Sequence, residues 1–83
     1  MTEEELMALA PQGLCDAYHT QLARLYGPER AKASRVDYSN GWYYIAIAAK
    51  YSDGSVGLGG RQADAHRKQA VVQRVLVLQG RKE

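Results

Sequence analysis

Two periodicities divide the chain. Between Trp42 and Tyr51 the side chains alternate: Tyr43, Ile45, Ile47, Ala49 and Tyr51 fall on one side, and Trp42, Tyr44, Ala46, Ala48 and Lys50 on the other. This two-residue repeat is that of a β-strand. The first set is large and branched enough to form a core face. The second is small in its middle and aromatic at one end. Before this strand the repeat lengthens: Leu14, Tyr18, Leu22 and Leu25 recur every three or four positions, which makes one stripe of a helix. After it, Val71, Val72, Val75, Leu76 and Leu78 share one arc of a helix, with Gln62, His66, Gln73 and Arg74 on the opposite side.

Turn and cap residues set the boundaries. Thr2 and Glu5 have the spacing of a capping box, so a short helix is expected from about Thr2 to Leu9. Pro11 suits the first turn of a second helix, which runs to Tyr26 and ends at Gly27-Pro28. Pro28 to Lys32 is a connector with room for one helical turn, and the β region begins near Ala33. Asn40-Gly41 and Asp53-Gly54 suit the positive φ angles of tight hairpins, giving strands around Arg35–Tyr38, from Trp42 onward, and from Val56. A helix from about Gln62 to Gln79 follows, with Gly80 as its C-cap. The run Val71 to Leu78 is rich in β-branched residues and would also suit a fourth strand. Ala63, Ala65 and Ala70, and the need of the hairpins for a cover, favour the helix.

The expected fold is therefore α+β: N-terminal helices, a three-stranded antiparallel meander, and a C-terminal helix packed on one sheet face. At 83 residues and 46% hydrophobic composition, 1–83 reads as a single domain with one core. Residues 1–10 hold the short N-terminal helix and 11–80 the α-β-β-β-α core.

The formal net charge of +2 is small, but its distribution is uneven. Residues 1–30 carry Glu3, Glu4, Glu5, Asp16 and Glu29 against Arg24 and Arg30. Residues 61–83 carry Arg61, Arg67, Lys68, Arg74, Arg81 and Lys82 against Asp64 and Glu83. One end is acidic and the other basic. Cys15 is the single cysteine and cannot close an internal disulfide. No apolar leader is apparent, and the longest apolar run, Trp42 to Ala49, is far short of the ~20 residues of a spanning helix. A cytoplasmic protein without a membrane role is expected.

The order helix, three-strand meander, helix resembles the double-stranded RNA-binding domain, and also the N-terminal part of a ribosomal small-subunit protein family. The resemblance covers about Pro11 to Leu78. Gly57-Leu58-Gly59-Gly60 is similar to that family's glycine step into its last helix, and Ala65 matches an alanine there. The resemblance implies the fold and contact with RNA. The family's phosphate-contacting lysines fall on Gln62, Ala63 and His66, with Asp64 among them, while Arg61, Arg67 and Lys68 lie close enough to substitute. Only Asn40-Gly41-Trp42 stands in place of its minor-groove loop.

Two surfaces are candidates for function. Arg67, Arg74 and Arg81 repeat every seven residues and would form a stripe along the last helix, with Arg61, His66 and Lys68 around its start, able to follow a phosphate backbone. The plainer reading is a solvated face with an Asp64–Lys68 pair. The second surface is Trp42 and Tyr44, with Lys50 on the same alternation, left open beside the Ala46-Ala48 strip and suited to a protein partner or homodimer. Alternatively, the N-terminal helix folds back over it through Leu6, Met7 and Leu9. Both readings account for the alanines better than base stacking does.

Catalytic chemistry finds little support. Cys15 and His19 lie four apart without a third orienting group, and two histidines with one cysteine make no credible zinc site. The glycines from Gly54 to Gly60 lack the Lys-Ser/Thr ending of a phosphate loop. The expectation is a small non-enzymatic module with no cofactor, metal or small-molecule substrate, which binds nucleic acid or a nucleoprotein through its basic C-terminal helix. The alternative is a protein-interaction module or inhibitor, similar in size and type to phage-encoded inhibitors of host machinery such as anti-CRISPR proteins.

Overall fold

The computed structural model describes residues 1–81; Lys82 and Glu83, which enter the C-terminal charge count, lie outside them. Helix α1 (Glu3–Met7) begins at the capping box: the Glu5 amide donates to Thr2 Oγ1 at 3.2 Å and the Thr2 amide to Glu5 Oε1 at 2.9 Å. Helix α2 (Pro11–Tyr26) starts on proline, whose missing N–H would be unpaired in a first turn anyway, and stops at Gly27. The connector closes into a short helix, α3 (Pro28–Ala33).

Strands β1 (Arg35–Ser39) and β2 (Trp42–Ala46) pair antiparallel across the Asn40-Gly41 turn, with Val36 opposite Ile45 and Tyr38 opposite Tyr43. Strand β2 does not run straight on to Tyr51. It leaves the ladder at Ile47-Ala48, and its continuation β3 (Ala49–Lys50) pairs with β4 (Val56–Gly57) as a separate two-stranded ribbon. The vacated edge of β2 is taken by β5 (Asp64–His66), which places Tyr43 opposite His66 and Ile45 opposite Asp64. The sheet thus has three antiparallel strands in the order β1-β2-β5.

The third strand of the sheet is therefore not the one that begins at Val56, and the last helix, α4 (Lys68–Gly80), starts later than Gln62. Gly59 and Gly60 both adopt positive φ, which no helix accommodates, and Asp64–His66 satisfies its backbone on the open edge of β2 instead of in a first helical turn. The run from Val71 to Leu78 is helical despite its β-branched residues. Val71, Val72, Val75 and Leu78 are all buried, and that burial outweighs a weak intrinsic preference.

Helices α2 and α4 lie on the sheet face that carries Tyr43 and Ile45. The core between the layers is Leu14, Tyr18, Leu22, Tyr43, Ile45 and the valines of α4. Helix α1 packs on α4, not on the sheet: Leu6 is buried in the core, Gln73 Nε2 donates to Glu3 Oε1 at 3.1 Å, and the N-terminal amine donates to Gln79 Oε1 at 2.9 Å. Among the described residues no helix is long and apolar enough to cross a membrane.

Candidate nucleic-acid interface

Where β2 leaves the ladder, its backbone groups lose their strand partners. Three side chains take them over. Arg30 Nε donates to the Ala48 carbonyl at 2.6 Å, Arg61 Nη1 donates to the Ile47 carbonyl at 3.1 Å, and the Ala48 amide donates to Ser34 Oγ at 2.8 Å. Half-buried backbone left unpaired would be costly, so the break itself gathers arginines.

Two further guanidinia reach the same end of the molecule along the helices. Arg24, in the last turn of α2, donates through Nη2 to the Leu78 carbonyl at 2.6 Å, at the negative end of α4. Arg81, the C-cap of α4, donates to the Tyr26 hydroxyl at 2.9 Å. Arg81 and Arg30 both stand over the Tyr26 ring, at 5.9 and 4.4 Å from its centre. Arg74 is exposed on α4 between them and the break.

A groove of about 330 Å³ lies between α4, the end of α2 and the break, lined by Tyr26, Ile47, Arg74, Val77 and Arg81. A smaller one of about 210 Å³ continues past Arg74 to Arg61 and Asp64. Each of Arg24, Arg30, Arg61 and Arg81 is held by a neutral oxygen, which fixes the guanidinium without cancelling its charge and leaves most of its donors free. Among the described residues none of the five arginines lies in an ion pair; the one found joins Arg35 to Asp37 at 2.5 Å.

The residues singled out from the sequence divide between places. Arg61, Arg74 and Arg81 come together here. Arg67 does not: it precedes α4 in extended conformation, so the seven-residue stripe ends at Arg74. Its Nη1 donates to the Gly41 carbonyl at 3.0 Å and its guanidinium stacks on Trp42, 3.7 Å from the ring centre. Lys68 is turned toward the N-terminal side, where Nζ donates to the Leu9 carbonyl at 2.8 Å, so the Asp64–Lys68 pair does not form. His66 faces the helix side opposite Tyr43, half-buried, and its Nε2 has no hydrogen-bond partner. Arg24 and Arg30 were missed, because along the chain they belong to the acidic segment; no spacing rule connects them to Arg74.

The other sheet face is open. Trp42 is 36% exposed and Tyr44 half-exposed, so α1 does not cover them. Arg35, held by Asp37, stands 5.4 Å from the centre of the Tyr44 ring. The alanine strip is not part of this surface: Ala46 and Ala48 are buried at the break. Lys50 is exposed on the separate ribbon and does not share the face of Trp42 and Tyr44.

Cys15 is buried in the core, and that burial, with Asp37 and Asp16 nearby, pushes its thiol above the ordinary value. Among the described residues no group of three or more His, Cys, Asp or Glu side chains could hold a metal ion. No protein-family model, no curated protein and no solved structure matches the chain.

Proposed function

We propose that this protein is a small binding module that contacts nucleic acid, or a nucleoprotein, through the arginine-rich end of its C-terminal helix. The observation that carries this reading is the arginine set at this end of the molecule: Arg74 and Arg81 line the groove, Arg61 lines the smaller one beside it, Arg24, Arg30, Arg61 and Arg81 are anchored by neutral oxygens, and among the described residues none of the five is in an ion pair. Guanidinia held in this way lose little freedom on binding and keep their forks for phosphate oxygens. The acidic first turn of α1 meets α4 at Gln73, whose Nε2 donates to Glu3 Oε1, so Glu3 offsets part of the positive field on that side of the helix, and the groove side carries the arginines.

A mobility-shift titration with single-stranded and duplex oligonucleotides tests the reading. The double variant Arg74→Glu/Arg81→Glu should weaken binding at least about tenfold, since each replaced cation is turned into a repelling charge, while circular dichroism stays unchanged. Lys68→Glu, at the far end of α4, should do much less to binding. Equal affinity for wild type and the double variant would overturn the assignment, and absence of binding at low salt would leave the protein-interaction reading.

A further inference from the structure

The open face of the three-stranded sheet is built differently from the groove. Trp42 and Tyr44 are two positions apart on the central strand and so point the same way, about 7 Å apart. Each is accompanied by a guanidinium from outside its own strand: Arg67 from the residue after β5, and Arg35 from β1. Their neighbours on this face are small or short: Tyr44 lies between Asp37 and Ala65, and Trp42 opposite Ser39. The two aromatic–guanidinium stacks therefore stand above their surroundings. The carboxylate among them, Asp37, is already occupied by Arg35.

We infer that this face is a stacking platform for unpaired bases, so that the nucleic acid bound is single-stranded. This rests on the nucleic-acid reading above and names its substrate class. Three physical points favour a single strand. Stacked bases in a duplex repeat about every 3.4 Å per strand, half the spacing of Trp42 and Tyr44, so only a strand with splayed bases addresses both rings. Unstacked bases pack on aromatic faces and on guanidinium planes alike, and this face offers both. Arg67, held by the neutral Gly41 carbonyl, supplies positive charge beside Trp42, as a phosphate backbone crossing the sheet requires, while the charge of Arg35 is offset by Asp37 and its guanidinium offers a plane beside Tyr44. A duplex, whose bases are stacked and paired, would meet only the two guanidinia.

Trp42 is the single tryptophan, so its emission reads this face directly. The experiment is a fluorescence titration of the whole protein with an oligothymidylate and with a duplex of equal length, alongside affinities by mobility shift. Oligothymidylate should quench Trp42 strongly at saturation, and the duplex should not. Trp42→Ala should lower single-strand affinity about fivefold to a hundredfold, the loss of one base stack. Tyr44→Ala, which keeps the reporter, should lower it over the same range and serves if the tryptophan variant misfolds.

Saturable binding of the single strand with silent Trp42 emission, still abolished by Arg74→Glu/Arg81→Glu, would overturn the platform alone. Affinities of Trp42→Ala and Tyr44→Ala within about twofold of wild type would do the same. Binding of no nucleic acid would remove both this inference and the reading beneath it, and would give the face to a protein partner.

Discussion

Cys15 and Tyr43 are single residues that set how the fold responds to alkali. Both are buried, and burial is the main reason that each holds its proton above the ordinary value, 9.0 for the thiol and 10.0 for the phenol. Asp37 and Asp16 add to the effect at Cys15, and Cys15 and Tyr38 at Tyr43. Above these values the unfolded chain has lost protons that the folded chain keeps. Stability is therefore complete below the unfolded pKa of each group and declines as pH rises through it toward the folded one. The midpoint of urea unfolding should fall between about pH 8 and about pH 10.5, and Cys15→Ala should make the fall shallower. An identical fall in the variant would show that the thiol contributes nothing to it. Of the two carboxylates, Asp16 adjoins Cys15 in the chain, whereas Asp37 is brought to it by β1.

At the scale of elements, the Asn40-Gly41 turn and the break at Ile47-Ala48 decide what the sheet presents. Asn40 and Gly41 adopt φ of 51° and 83°, as the dipeptide predicts for a tight hairpin. A Cβ on Gly41 would also lie 3.1 Å from Arg67 Nη1, so this turn and the Trp42 stack are coupled. Gly41→Ala should cost about 1–2 kcal/mol from the left-handed backbone and shift Trp42 emission as Arg67 moves. Gly57→Ala, where the added carbon meets nothing within 4 Å, should stay within about 0.5 kcal/mol and leave the emission alone. Unfolding titrations followed by fluorescence compare the two; equal effects would mean that neither the backbone angle nor the contact matters. The break was not legible, because alternation from Trp42 to Tyr51 is unbroken in the sequence. It exists because Arg30, Ser34 and Arg61 are there to satisfy the released backbone.

The charge of the whole molecule is only +2, yet its field is not that of a weakly basic sphere. Folding brings Arg24 to the Leu78 carbonyl of α4 and Arg30 to the Tyr26 ring that it shares with Arg81, out of their acidic segment. Salt dependence measures how many of these cations meet phosphates. For a single strand the slope of log K against log salt is about −0.7 per phosphate neutralised, so Arg24→Ala/Arg74→Ala should flatten it by about 1.4. Arg67→Ala/Lys68→Ala should flatten it by at most about 0.7, since Lys68 is tied to the Leu9 carbonyl. Equal flattening by the two pairs would contradict a polarised surface. Of this site the sequence made Arg61, Arg74 and Arg81 visible as cations around one helix. It concealed Arg24 and Arg30, because their nearness to Arg81 passes through the ring of Tyr26 and not through any spacing along the chain.

Local rules sufficed wherever the cause is local. The capping box at Thr2 and Glu5, the start of α2 at Pro11, the turn at Asn40-Gly41 and the core face of Tyr43 and Ile45 all follow from residues within a few positions of one another. The α+β class and the helix over the sheet follow from those periodicities together. The tertiary structure alone decided which segment completes the sheet and which side chains share a surface. The edge of β2 falls to Asp64–His66, Arg67 leaves the helical stripe for Trp42, Arg30 and Arg61 meet at a strand break, and Arg24 and Arg30 reach the end of α4. Those outcomes depend on hydrogen-bond partners and packing surfaces that do not exist until the chain has closed on itself.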